Sequence, residues 1–303
     1  MMPGDHIAPD FKAGFVAVMG RPNVGKSTLI NALLKQKVAS VSPRPQTTRR
    51  RQMGILSLEN SQIILVDTPG VHLPRHKLGE RMNQQASDTL RESDLALMIV
   101  DVSVPPGEED HLLAGQIAKL KRPIPTILVL NKSDLVESER LQERQGEYRR
   151  LLPEAECITI SATRGDHLDS LLEAILTHLP QGNLFFPTEQ ITDLYEREIA
   201  ADLIRESALN LLRDEVPHGI AVRIDQFIER GEQGAFIETT LFVERESHKG
   251  IVIGRGGEML KKIGTAARLE IEAMSGRKVY LNLRVKVRKN WRDNEKLLRW
   301  FGY

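Results

Sequence analysis

Gly20-Arg21-Pro22-Asn23-Val24-Gly25-Lys26-Ser27 stands between an apolar run at residues 15–19 and a helical pattern, Lys26–Leu34. The spacing of two glycines, lysine and serine is that of a loop that wraps a phosphate. Glycines let backbone N–H groups approach the anion, Lys26 adds a cation, and the helix opening at Lys26 and Thr28 aims its positive end at the same point. Ser27 offers a hydroxyl to Mg²⁺. A strand before and a helix after are the context this pattern requires. A phosphate loop is therefore predicted, and with it a P-loop type of α/β fold.

The chain on either side agrees. Apolar runs at residues 15–19, 63–66, 95–101, 126–130 and 157–160 alternate with amphipathic stretches at 26–34, 79–91, 110–120, 138–152 and 168–178. Buried strands alternating with helices predict a mostly parallel sheet covered on both faces. Ligands of such sheets sit beyond the carboxyl ends of the strands. With 303 residues, 41% of them apolar and 27% charged, the chain is long enough for two domains with real cores. The single cysteine, Cys157, excludes an internal disulfide framework and suits a reducing cytosol. Its apolar surroundings read as a buried strand thiol rather than a nucleophile. No apolar run approaches the roughly 20 residues that span a bilayer, and residues 1–14 lack a continuous apolar core. A cytoplasmic location is expected.

Three further motifs end strands. Asp67-Thr68-Pro69-Gly70 places a carboxylate that can hold Mg²⁺ through water and a Gly70 N–H that can sense a γ-phosphate. Asn131-Lys132-Ser133-Asp134 places a carboxylate, Asp134, that can accept from N1–H and the exocyclic amine of guanine. Adenine offers neither donor there and would leave a buried charge unpaired. Asn131 can bond the ring edge and the loop backbone, and Lys132 can lay its stem on the base. Ser161-Ala162-Thr163 would supply a backbone N–H to the guanine oxygen. GTP, not ATP, is the expected ligand. In this order the four signatures resemble the translation-factor-type GTPases over residues 14 to about 180.

That resemblance implies a switch threonine within residues 43–51 (PRPQTTRRR) that joins Mg²⁺ in the GTP state only. Thr47 and Thr48 both qualify; Thr48, directly before arginine, is preferred. The arginine run is either a solvated basic loop or an RNA or effector surface. Where many GTPases place a water-orienting glutamine, this chain has Val71. Similar GTPases with asparagine at the position of Asn23 use K⁺ to offset transition-state charge, so K⁺ stimulation is expected. Hydrolysis would then rest on Lys26, Asn23, Thr48 and Gly70. His72 as a base fits less well, because phosphoryl transfer needs positioning and charge more than deprotonation.

Residues 180–187 (PQGNLFFP) break the alternation and read as a junction between a nucleotide domain, 1–182, and a second domain, 183–303. The second domain predicts a helix at 193–212 and a strand carrying Ile220, Val222, Ile224 and Ile228. A hairpin loop at 230–235, a strand with Ile237, Leu241 and Val243, a helix at 258–274 and a strand at 279–287 follow. The expected order is helix, strand, strand, helix, helix, strand: a smaller α+β domain. Residues 184–248 hold 6 Lys/Arg against 14 Asp/Glu, whereas 249–299 hold 14 against 5. The near-neutral total of +1 thus hides a strongly basic stretch.

At the head of that basic stretch, Gly254-Arg255-Gly256-Gly257 fits the GxxG loop of a KH domain, which clamps about four nucleotides of single-stranded RNA. The later residues Met259, Leu260, Ile263, Ala266, Ala267, Ile271 and Met274 form the apolar face of the helix it opens. Lys249, Ile253, Lys261 and Lys262 extend the candidate RNA surface. Gly231-Glu232-Gln233-Gly234 also matches GxxG, but it joins two strand patterns and reads as a turn. A GTPase domain followed by a KH domain resembles the bacterial Era family across nearly the whole chain, including Asn290-Trp291-Arg292-Asp293 and Gly302-Tyr303. The resemblance implies the second KH type, binding near the 3′ end of 16S ribosomal RNA, and a role in small-subunit assembly. It further implies a loose association with the cytoplasmic face of the inner membrane; a monomer is expected. Trp291, Trp300 and Phe301 could stack bases or seal the domain end. A rival reading makes the chain an RNA-binding module whose nucleotide domain mainly senses GTP and hydrolyses little.

Overall fold

The computed structural model describes residues 10–42, 48–231 and 234–303. They form two compact units. Residues 10–39, 48–73 and 82–193 make the first; 40–42, 74–81 and the described part of 194–303 make the second.

The first unit holds β1 (Lys12–Met19), α1 (Lys26–Leu34), β2 (Gln52–Leu58), β3 (Ser61–Asp67), α2 (Lys77–Glu92, whose first turn belongs to the second unit), β4 (Leu95–Asp101) and α3 (Glu108–Ala118). Next come β5 (Thr126–Asn131), α4 (Ser138–Arg149), β6 (Glu156–Thr159) and α5 (Leu168–His178). The sheet order is β2-β3-β1-β4-β5-β6, parallel except for β2. Side chains along a strand alternate faces, so each strand feeds two cores. Val16, Val18, Ile63, Leu97 and Ile99 pack with Leu29, Leu33, Leu171 and Ile175. Ala17, Met19, Met98, Val100 and Leu130 pack on the other face with Leu90, Leu113 and Tyr148.

Strand β2 is a finding that apolar periodicity did not give. It is short of buried apolar residues, and its outer side is taken by residues 191–192: Ile55 N donates to Ile191 O at 2.8 Å, and Gly54 bridges Thr192. The stretch expected as a junction lies along the first unit. Phe185 and Phe186 N–H both donate to Gln62 Oε1, at 2.9 and 3.0 Å. Cys157 is half-buried, because β6 is the sheet's edge, and desolvation raises its thiol pKa. An unreactive thiol fits that position.

The second unit holds α6 (Glu196–Leu211), β7 (Ala221–Glu229), β8 (Ala235–Val243), α7 (Glu246–Ile253), α8 (Glu258–Ser275), β9 (Val279–Val287) and α9 (Glu295–Trp300). Strands β7 and β8 are antiparallel, β8 and β9 parallel, in the order β7-β8-β9. On one face of the sheet, α6 and α8 bury Leu203, Ile204, Ile237, Leu241, Ile263, Ala267 and Ile271. One expectation is corrected here. A register shift between Ile224 and Gln226 inserts an extra residue into β7. The alternation therefore flips: Phe227 packs inward, and Ile228 is 44% exposed on the opposite face. The loop at 230–235 does connect β7 and β8, with Arg230 N on Gly234 O; Glu232 and Gln233 lie outside the described residues. At the chain end, Trp291 is fully buried, with Nε1 donating to Gly219 O at 2.9 Å, and Phe301 packs on Trp291 and Phe242. Both seal the domain. Trp300 stays 42% exposed, with the Arg223 guanidinium 4.1 Å above its ring.

Candidate functional site

The phosphate loop leaves β1 at Met19 and turns into α1 at Lys26. Gly25 takes φ +100°, and a Cβ there would lie 2.3 Å from Asn131 Nδ2, so only glycine fits. Asn23, exposed, also takes a left-handed conformation. The Lys26 ammonium donates to Gly20 O (3.1 Å) and Arg21 O (2.9 Å), curling the loop around it. Burial brings its pKa down to about 8; the carboxylate of Asp67 opposes this and Arg21 adds to it. An anion beside Lys26 would restore the charged form. Arg21 is braced by Asp110 of α3, whose Oδ2 lies 3.3 Å from Nε. Nothing in the sequence pattern pointed to Asp110.

Three oxygens converge at the mouth of this loop. Ser27 Oγ donates to Asp67 Oδ2 at 2.8 Å, Thr48 Oγ1 to the same oxygen at 3.0 Å, and the two hydroxyls stand 3.1 Å apart. Octahedral Mg²⁺, with oxygens about 2.1 Å away, sets neighbouring ligands about 3 Å from each other. Asp67 Oδ1 is buried without a partner, and burial raises the pKa of the carboxyl. A buried carboxylate with one oxygen orphaned and the other bonded by two hydroxyls fits a divalent cation. Gln52 Nε2, 3.3 Å from Asp67 Oδ2, joins the cluster; its place on an edge strand hid it from sequence reading. Thr47, the other switch candidate, lies outside the described residues.

Beyond Asp67, the buried Thr68 anchors its hydroxyl on Val18 O at 2.9 Å, with Pro69 buried beside it. Gly70 runs so close to the phosphate loop that a Cβ would meet Pro22 N at 2.8 Å. Val71 points into the core and is 1% exposed, so it cannot touch a water on a phosphate. His72 folds back, with Nδ1 2.9 Å from Gly70 O, and its backbone O accepts from Asn83 at 2.7 Å.

Asn131 proves to be a tie between loops. Its Nδ2 donates to Val24 O at 2.8 Å, and its Oδ1 accepts from Ala162 N at 3.0 Å. Those two bonds join phosphate loop to base loops and leave the second amide N–H and the second lone pair of Oδ1 for a ring edge. Lys132, in a left-handed turn, gives its ammonium to Asp101 at 2.6 Å. Burial alone would raise the Asp101 pKa, but hydrogen bonds from Lys132 and Ser103 outweigh it and the net shift is downward. Asp134 Oδ1 accepts from Ser161 Oγ at 2.6 Å, which aims the other carboxylate oxygen. Thr28 sits in the first turn of α1, and Thr163 is exposed at the end of the last loop.

In the second unit, α7 ends at Ile253 and the chain turns through Gly254, Arg255, Gly256 and Gly257 into α8. Gly254 has φ +76°, and a Cβ would sit 2.8 Å from Met259 N and Cβ. Beside this loop a groove of about 360 Å³ runs between α8 and β9, lined by Gly257, Leu260, Lys261, Gly264, Thr265, Arg268, Leu281 and Leu283. Of the predicted RNA residues, Gly257 and Lys261 line it, and Gly254, Arg255 and Gly256 form the turn that leads to Gly257. Lys249 and Lys262 stand outside, paired with Glu246 (3.9 Å) and Glu258 (2.9 Å); Ile253 closes α7. Gly264 and Arg268 were missed: only tertiary packing shows that a bare helix turn and an arginine face the strand.

A phosphate loop, a three-oxygen cation site and a purine-reading carboxylate define a P-loop GTPase, here followed by a domain of KH type. Comparison with known proteins agrees. Residues 15–132 match the family described as 50S ribosome-binding GTPase, and residues 215–292 match the KH domain family. The chain is 47% identical over 294 residues to GTPase Era of Clostridium botulinum (strain Loch Maree / Type A3), covering 97% of this chain and 98% of that one. Against GTPase Era of Ruminiclostridium cellulolyticum the identity is 44% over 293 residues, with coverage of 97% and 98%. A crystal structure of Era with MgGDPNP and nucleotides 1506–1542 of 16S ribosomal RNA superposes with a TM-score of 0.91 at 40% identity, covering 97% and 99% of the two chains. A point variant of Aquifex aeolicus Era bound to GDP and AlF4⁻ superposes with a TM-score of 0.90 at 39% identity, with the same coverage. The chain belongs to the Era family of GTPases.

Proposed function

We propose that this chain is a GTP-driven switch that binds single-stranded RNA near the 3′ end of 16S ribosomal RNA through the α8–β9 groove, and so assists assembly of the small ribosomal subunit. The observation that carries the switch is the meeting of Thr48 with Ser27 and Asp67. Ser27, Thr48 and Asp67 would hold Mg²⁺, which when bound neutralises charge on the β- and γ-phosphates. The Thr48 hydroxyl would join Mg²⁺ only in the GTP state, so that its segment orders with GTP and releases after hydrolysis. Lys26 supplies charge to the phosphates, the loop N–H groups and Gly70 N–H position them, and Asp134 with Ser161 selects guanine.

Coupling to RNA is supported by where the chain divides. Residues 40–42 precede Thr48, residues 74–81 follow Gly70, and both belong to the second unit. Within it, Val41 N donates to Glu206 Oε2 at 3.1 Å and Lys77 N to Asp293 Oδ1 at 3.1 Å. The RNA assignment is supported by the groove and by the relative that carries 16S RNA. Measuring RNA affinity with GDP and with a non-hydrolysable GTP analogue tests the switch; equal affinities would end it.

Two finer points belong to the same reading. Asn23 is assigned to a K⁺ that offsets transition-state charge, and turnover is then faster in KCl than in equimolar NaCl. The exposed, left-handed Asn23 supports this. The second reading, a nucleotide sensor with little hydrolysis, draws on the burial of Val71. Single-turnover hydrolysis with and without RNA separates the two. The same proposal takes the chain as a cytoplasmic monomer with peripheral contact to the inner membrane, a reading that the Era resemblance supports. Among the described residues no helix is long and apolar enough to cross a membrane.

A further inference from the structure

Tyr148 of α4 is fully buried, yet its hydroxyl is engaged by three other parts of the first unit. It donates to Asp101 O at 3.0 Å and shares that proton with Val104 O at 3.2 Å. Arg21 of the phosphate loop donates to it in turn, while Arg21 Nε lies 3.3 Å from the Asp110 carboxylate. Burial, then the charge of Asp110, pushes the phenol pKa up to about 12 against the pull of Arg21, so the hydroxyl keeps its proton. A phenylalanine ring would fill this core as well. The oxygen costs desolvation and returns it only through its partners.

Those partners carry the two loops of the nucleotide site. Asp101 ends β4 and holds the Lys132 ammonium, and the next residue, Val102, donates its N–H to Asn131 O at 3.1 Å. The guanine loop therefore leans on Asp101. Arg21 lies in the phosphate loop, and its carbonyl takes the Lys26 ammonium. Asp110 is fixed in the first turn of α3, where Oδ2 accepts from Gly107 N at 2.9 Å. The Tyr148 oxygen thus joins the support of one loop to the support of the other. Asn131 ties the same loops directly, through Val24 O and Ala162 N. One tie leaves a hinge, whereas two at separate points also stop the loops from rotating against each other. A nucleotide spans both loops, so it is held only as firmly as their separation is fixed in advance.

We propose that Tyr148 is a positioning residue for nucleotide retention: its hydroxyl links Arg21 to Asp101 and so locks the phosphate loop to the guanine loop. The assignment rests on residues 20–27 and 131–134 being the nucleotide site. Enclosed in the core, the hydroxyl acts through Arg21 and Asp101 rather than on the phosphates. Its loss therefore speeds the escape of GDP and GTP and spares the hydrolytic step.

The test uses the full chain loaded with mant-GDP and chased with excess GDP in a stopped-flow instrument. Tyr148→Phe removes one oxygen and keeps the ring in its core; release should quicken about fivefold, the worth of one hydrogen bond. Single-turnover hydrolysis of preloaded GTP should stay at the parent rate. Arg21→Met breaks the same link from its other end. The double variant should release mant-GDP no faster than Arg21→Met alone, because a broken link cannot be broken again. Release at the parent rate in Tyr148→Phe overturns the assignment, and a lowered urea midpoint beside it would mark a hydroxyl that serves the fold alone. Effects that multiply in the double variant overturn it too, since the two residues would then act apart. So does slower single-turnover hydrolysis at unchanged release, which would put the hydroxyl's effect on chemistry. A parent chain that fails to retain mant-GDP, or retains it no better than Lys26→Ala, would instead overturn the nucleotide site itself.

Discussion

Lys26 allows a quantitative test of the nucleotide site. Its pKa stands at about 8 against an ordinary 10.5, chiefly through burial. That fall corresponds to about 3 kcal/mol held against the charged form. Without ligand the folded chain gives up this proton above pH 8, whereas the unfolded chain keeps it to 10.5. Stability is therefore penalised below pH 8 and recovers as pH rises from 8 to 10.5. Phosphates beside Lys26 reverse the penalty, and the lysine regains its proton on binding. Adding MgGDP to nucleotide-free protein should then take up about half a proton at pH 8 and about a tenth at pH 7. Affinity should fall about fourfold between pH 7 and 8.5. Isothermal titration in two buffers of different ionisation enthalpy reads the uptake directly. Identical enthalpies in both buffers at pH 8 would refute the argument, since no net proton would then be taken up on binding.

Other outcomes follow from the same geometry. Asp134→Asn should cost GDP about 100-fold in affinity, because its carboxylate is the guanine acceptor, and should favour xanthine nucleotides; competition with XDP reads this. Val71→Gln should not raise turnover, since the side chain lies in the core. Its amide would be buried unpaired at about 1–3 kcal/mol, seen as a lower urea midpoint; faster hydrolysis would show that the position faces the nucleotide after all. Gly254→Ala should lower RNA affinity at least tenfold by anisotropy, because φ +76° and the Met259 contact exclude a methyl; unchanged binding would contradict that reading.

Sequence alone determined the order of elements apart from β2 and α9, together with the four strand-end motifs. Gly25, Lys26, Asp67 and Asp134 are local signals: turn geometry, strand periodicity and charge type act within a few residues, so a linear reading reaches them. It missed β2, because an edge strand carries little apolar periodicity, and it misread Ile228, because one inserted residue inverts a strand's faces. It also left Trp291 and Phe301 undecided between stacking and sealing. Contacts between residues far apart in the chain decided the rest: Asn131 joining two loops, Asp110 bracing Arg21, Gln52 beside Asp67, and Arg268 in the α8–β9 groove. No pattern along a chain encodes such pairs, since packing brings them together only after each element has formed.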